Sequence, residues 1–124
     1  MLFRSYAKMI NSAGKTVAPE LSAFQAAAAS ADWKSVPGFG VILTNQPGDA
    51  TWPITGATFI LIHKKPAKPE DAAAALKFFA WALEKGDKMA TELDYVPMPD
   101  KVVGEIEASF AQVVGADGTP VFKK

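Results

Sequence analysis

The chain has 124 residues, of which 49% are apolar and 21% charged, within the range of an ordinary globular protein of one domain's length. Thirteen basic residues offset thirteen acidic ones, so no broad positive field is available to draw in nucleic acid or an anionic membrane surface. Cysteine is absent, which excludes disulfides, thiolate metal sites and cysteine nucleophiles.

From the N-terminus, Met1-Leu-Phe-Arg-Ser5 carries one charge and no apolar stretch of the kind an export signal requires. Tyr6–Ile10 and Thr16–Ala18 flank Asn11-Ser-Ala-Gly-Lys15, where Gly14 can take positive φ, and the pattern predicts a short hairpin. Pro19 is expected at the start of a helix running to about Ala31, with Leu21, Phe24, Ala28 and Ala31 on the inner face and Asp32-Trp33 closing it. Pro37-Gly38 reads as a turn, Gly40–Asn45 as a strand and Gln46–Asp49 as a second turn.

Trp52-Pro53-Ile54-Thr55 cannot be a regular central strand, because Pro53 lacks an N–H and forces Trp52 into an extended state. Thr58–His63 is β-rich with almost no alternation, which predicts a strand covered on both faces. Its apolar core is far too short to span a bilayer. Pro69 should open the next helix, with Ala72, Leu76, Phe79 and Leu83 as its apolar stripe. Gly86 ends it, Asp87 caps a short helix over Lys88–Leu93, and Pro97 and Pro99 break the chain. A last helix is expected over Asp100–Val114, with Val102, Ile106, Phe110 and Val113 inward, followed by Gly115 and a loose polar tail. Strands alternating with helices indicate an α/β fold, but so few strands make that fold look incomplete.

Side chains with chemical capacity are sparse. His63 is the sole histidine and has no second histidine, cysteine or carboxylate pair beside it, so a solvated or structural role outweighs catalysis. Glu70 and Asp71 complement the positive end of a helix, whereas Glu105 and Glu107, two positions apart, point different ways. Gly38-Phe39-Gly40 lacks the third glycine and the strand-to-helix setting of a phosphate cradle. Trp33, Trp52 and Trp81 could stack on a sugar, but their settings favour core and turn roles. Ser22, Ser30, Ser35 and Ser109 have no nucleophile-elbow context, and Lys64, Lys65 and Lys68 read as a solvated loop. These residues predict no catalytic residue, no metal site, no cofactor and no enzyme.

The ordered set YAKMINSAGKTVAP, ADW, LTNQPGDATWPIT, ATFILIHK, ALKFFAWALEKG and LDYVPMPDKVV resembles the C-terminal part of PstS-type phosphate-binding proteins. These are periplasmic or lipid-anchored receptors of the high-affinity phosphate ABC importer. The likeness runs from about Tyr6 to the end and covers well under half of a usual member. It implies part of a type II periplasmic-binding-protein fold, made of C-terminal pieces of two hinge-linked lobes. Residues 1–5 stand apart as non-family or artefactual, residues 6–52 are a piece of lobe 2, and residues 53–124 are the hinge return and a piece of lobe 1. Trp52, Pro53, Ile54 and Thr55 would be the hinge.

The resemblance further implies inorganic phosphate as ligand of the complete protein, permease subunits as partners, a periplasmic location and a monomeric whole. Phosphate would be held without metal by backbone N–H groups, hydroxyls and an arginine, with a carboxylate accepting the anion's proton. Those ligands are expected upstream of this chain, so no phosphate-binding residue is assigned within it. The only arginine, Arg4, lies outside the matching stretch. A fragment of this kind is not expected to bind phosphate alone. The alternative is a standalone interaction or structural protein derived from such a fold without ligand capture.

Overall fold

A computed structural model describes residues 5–123, and the chain divides into two compact units, one running to Thr58 and the other starting at Phe59. Most of the residues set apart at the N-terminus, Arg4 among them, lie outside the described residues.

In the first unit β1 (Met9–Ile10) pairs antiparallel with β2 (Thr16–Val17), matching Met9 to Val17 and Ile10 to Thr16. Gly14 sits at φ 73°, as the tight turn demands of a residue without a Cβ. Helix α1 (Leu21–Ser30) begins two residues later than expected, because Glu20 is still extended at φ −104° and ψ 155°. Its run of alanines has high helix propensity and a low profile. Ala23, Ala27, Ala28 and Ala31 are buried, while Leu21 turns outward and Phe24 is half-buried, so the expected inner stripe is displaced. The small Ala23 face lets another backbone segment come close: the Trp52 N–H donates to the Ala23 carbonyl at 3.0 Å.

Helix α1 has neither a glycine nor a basic residue to finish it. Instead the Trp33 indole N–H donates to the Ala28 carbonyl at 2.8 Å, one of the carbonyls a helix end leaves without an internal partner. The strand expected over Gly40–Asn45 does not form. Positive φ at Gly38 (70°), Phe39 (59°) and Asn45 (50°) bends the chain at both ends of that stretch, and no other described strand lies beside it. Leu43 nevertheless reaches the interior.

In the second unit the strand expected over Thr58–His63 is likewise absent, and most of the stretch is uncovered. Phe59, Ile60 and Leu61 are exposed, Leu61 at 92%, and only Ile62 packs on the core. An apolar run without alternation needs partners on both edges. The described residues supply one bond near its end, from the Val114 N–H to the Lys64 carbonyl at 2.8 Å.

Helix α2 (Pro69–Lys85) follows the predicted stripe. Leu76 and Ala80 are buried together with Phe110 and Val113, and Ala72, Phe79 and Leu83 pack around them. Helix α3 (Asp87–Glu92) starts one residue before the expected Lys88, with Gly86 rather than Asp87 at its cap position. A Cβ on Gly86 would run into the Ala82 carbonyl oxygen, so glycine is what lets α2 and α3 join so closely. Helix α4 (Asp100–Ser109) ends earlier than Val114, tightening into a 3₁₀ turn over Phe110–Gln112. Val102, Phe110 and Val113 face inward as predicted, and Ile106 is half-buried.

The C-terminal tail is not loose. Val114 bridges antiparallel to Pro120, and the Val121 N–H returns to the Val113 carbonyl at 3.0 Å. Phe122 sets its ring edge against Phe110, with centroids 5.2 Å apart. Asp117 closes this turn by accepting from the Thr119 N–H (3.0 Å) and hydroxyl (2.8 Å), and these bonds hold its carboxyl below the usual range by favouring the charged form.

Candidate functional site

A dense polar construction surrounds the start of the Trp52–Thr55 segment, within the first unit. It is built from Asn11, at the start of the hairpin turn. Asn11 is only 6% exposed, and such a buried carboxamide must satisfy both its N–H groups and its oxygen. Its Oδ1 accepts from Ala13 N–H at 3.1 Å and Lys15 N–H at 3.0 Å, which shapes the hairpin turn. Its Nδ2 donates across to the carbonyls of Gly48 (3.1 Å), Asp49 (2.9 Å) and Thr51 (3.2 Å). One side chain therefore ties two turns that lie 37 to 40 residues apart in sequence.

The second turn is secured from within as well. Thr51, 2% exposed, shares its hydroxyl proton between the Gln46 and Gly48 carbonyls, each at 2.9 Å. Ser12 adds a hydroxyl bond to the Gln46 carbonyl at 3.1 Å. Gly48 takes φ 130°, a conformation that L side chains rarely adopt. Trp52 then lies buried with its ring 5.9 Å from that of Phe24, and the Pro53 carbonyl accepts from Asn45 N–H at 3.0 Å.

The four residues expected to be a hinge are thus not equivalent. Trp52 and Pro53 are buried and held by backbone bonds, Ile54 is 60% exposed, and Thr55 is half-buried with its hydroxyl on the Trp52 carbonyl at 3.1 Å. From Ile54 to His63 no backbone hydrogen bond forms among the described residues. Asn11 reads in the sequence as one more residue of a hairpin turn and Thr51 carries no signal of its own; only the fold brings them together.

Elsewhere, His63 is exposed, and the Ser30, Ser35 and Ser109 hydroxyls are engaged with the carbonyls of Ala27, Asp32 and Ile106. Glu70 and Asp71 lie exposed in the first turn of α2, where Lys68 and Asp71 make a loose ion pair at 3.9 Å. Among the described residues no group of three or more His, Asp or Glu gathers, and no helix is long and apolar enough to cross a membrane.

The second unit carries an open groove of about 530 Å³ at the start of α2, lined by Pro69, Glu70, Ala73, Gly115, Asp117 and Val121 among others. It has two carboxylates and no basic side chain, which is the wrong sign for an anion. The longer helices follow the same electrostatic pattern. Glu20 precedes α1, Glu70 and Asp71 open α2, and Asp100 opens α4, so acidic groups already sit at the positive ends where an anion would bind.

No family model matches the chain. It is 47% identical over 120 residues, 96% of its length, to the phosphate-binding protein PstS of Pasteurella multocida. It is 48% identical over 100 residues to PstS of Haemophilus influenzae, and 44% identical over 107 residues to PstS of Xylella fastidiosa. Over most of its length the chain is similar to PstS phosphate-binding proteins. It spans about a third of their length: 35%, 30% and 29% of these three. The resemblance read from the ordered sequence segments is therefore shown, and it holds over most of this chain.

Proposed function

We propose that this chain forms the C-terminal part of a periplasmic phosphate-binding receptor that hands inorganic phosphate to the permease subunits of an ABC importer. The observation that carries the reading is 43–48% identity over 81–96% of the chain to proteins named phosphate-binding protein PstS. In this reading the chain belongs to a binding protein, not an enzyme, and the complete receptor is a two-lobed monomer. Residues 6–52 complete one lobe, and residues from Pro53 onward cross back and complete the other. Trp52–Thr55 is the crossing.

The chain's share of the work is scaffolding. Acidic side chains at its helix starts and in the groove beside α2 disfavour phosphate, so the anion-holding N–H groups and hydroxyls belong to the other two-thirds of the receptor. The exposed run Phe59-Ile60-Leu61 supports the same division. It has the composition of a buried strand and would acquire its sheet neighbours from that larger portion.

Isothermal titration calorimetry tests the proposal. The chain alone should give no binding heat with phosphate. Fused in frame behind the preceding two-thirds of the Pasteurella multocida relative, it should give saturable one-to-one binding. Tight binding by the chain alone would overturn the assignment of the ligands to the other portion. A folded fusion that ignores phosphate would overturn the receptor reading.

A further inference from the structure

We propose that Asn11 is the positioning residue of the crossing: its carboxamide fixes the turn before Trp52, so that rotational freedom begins at Ile54 and not at the tryptophan. The description of this segment as a crossing rests on the receptor reading above, but the anchoring rests on the geometry of the first unit.

Three observations converge. The two N–H groups of the Asn11 side chain are shared among the carbonyls of Gly48, Asp49 and Thr51 at 2.9–3.2 Å, while its oxygen is taken up by the hairpin. Immediately beyond that turn Trp52 is pinned by its own N–H to Ala23, and Pro53 by its carbonyl to Asn45. One residue later the pattern stops, with Ile54 exposed, nothing within 4 Å of the place a Gly56 Cβ would occupy, and, among the described residues, no backbone bond before Lys64. A hinge bends where few interactions must break, and here that place starts at Ile54.

The residue type is demanding. Only a carboxamide donates to three carbonyls and accepts from two amides at once. An aspartate would keep the accepting half and turn a negative oxygen toward three carbonyl oxygens.

Amide hydrogen exchange followed by NMR on this chain provides the test, with Asn11→Asp as the first variant. The Trp52 amide should exchange at least about tenfold faster, reflecting lost hydrogen bonds and carbonyls left without donors. Amides in the middle of α1 should keep their protection. In the parent chain, amides from Ile54 to Thr58 should exchange close to the unprotected rate. An unchanged Trp52 amide, or strong protection at Ile54–Thr58, would overturn the proposal.

Should Asn11→Asp unfold the whole unit, α1 amides would lose protection too, and Thr51→Val then decides. It removes one hydroxyl from the same turn at nearly constant shape. Faster exchange at Trp52 with α1 intact supports the anchor, and no change at Trp52 defeats it. Phosphate plays no part in either readout. The anchor can therefore fail while the receptor stands, and a failed phosphate titration leaves the anchor untouched.

Discussion

Leu76→Ala should destabilise the second unit by about 2–5 kcal/mol, a large part of what a unit this small can possess. Leu76 is 1% exposed and sits between Ala80 on its own helix and Phe110 and Val113 from the C-terminal segment. Truncation removes apolar surface from the interior and leaves a cavity that the packed neighbours cannot easily fill. The two units need not melt together, so a single two-state transition should not be assumed. Trp81 is the only tryptophan of the second unit, which makes it the natural reporter in a background with Trp33 and Trp52 changed to Phe. The expected outcome is a urea midpoint shifted sharply down for Trp81 fluorescence. A loss under about 1 kcal/mol would mean that the core collapses around the hole or was never closed.

A comparable loss, about 3–5 kcal/mol, is expected in the first unit for Trp33→Ala. Trp33 does two jobs there. Its ring is buried beside Phe39, with centroids 6.4 Å apart, and its indole N–H caps the Ala28 carbonyl at the end of α1. Trp33→Phe separates the two, since it keeps most of the apolar contact but leaves the Ala28 carbonyl without that donor. It should cost about 1–3 kcal/mol, the range for a buried group stripped of its partner. Far-UV circular dichroism with Trp52 fluorescence reads both variants. Equal losses for Ala and Phe would assign the whole effect to the cap, and no loss for Phe would assign it to packing.

Helix α2 was legible because it carries its instructions locally, whereas α1 and α4 start or stop where other parts of the chain decide. Pro69, the stripe Ala72–Leu76–Phe79–Leu83 and Gly86 are enough to bound α2 to within a residue. The same local logic gives the hairpin around Gly14. Two strands failed for a reason that local pattern cannot contain. Residues 40–45 and 58–63 have strand composition, but a strand exists only against a neighbour, and the described residues offer neither of them one. The tail failed in the opposite direction. A loose polar tail was expected after Gly115, yet the bonds between Asp117 and Thr119 form a turn that returns Val121 and Phe122 to the core.

The candidate site shows the same division. Pro53 announced a constraint on Trp52 by its covalent structure alone. What holds the preceding turn in place was invisible, because Asn11 meets Gly48, Asp49 and Thr51 only after α1 has brought the chain around. A polar residue in a hairpin turn is usually a local matter, and nothing in Asn11-Ser-Ala-Gly says that this one reaches so far.

The stretch from Ile54 to His63, which makes no backbone hydrogen bond among the described residues, has a practical consequence for anyone handling the protein. Proteases need a substrate segment that can be drawn out and threaded through a cleft, which folded backbone resists. Phe59 and Leu61 offer chymotrypsin its preferred side chains on a stretch that, among the described residues, has no main-chain bonds to break. Brief digestion should therefore nick the chain there first and yield two pieces of similar mass, visible by mass spectrometry before either helical body is degraded.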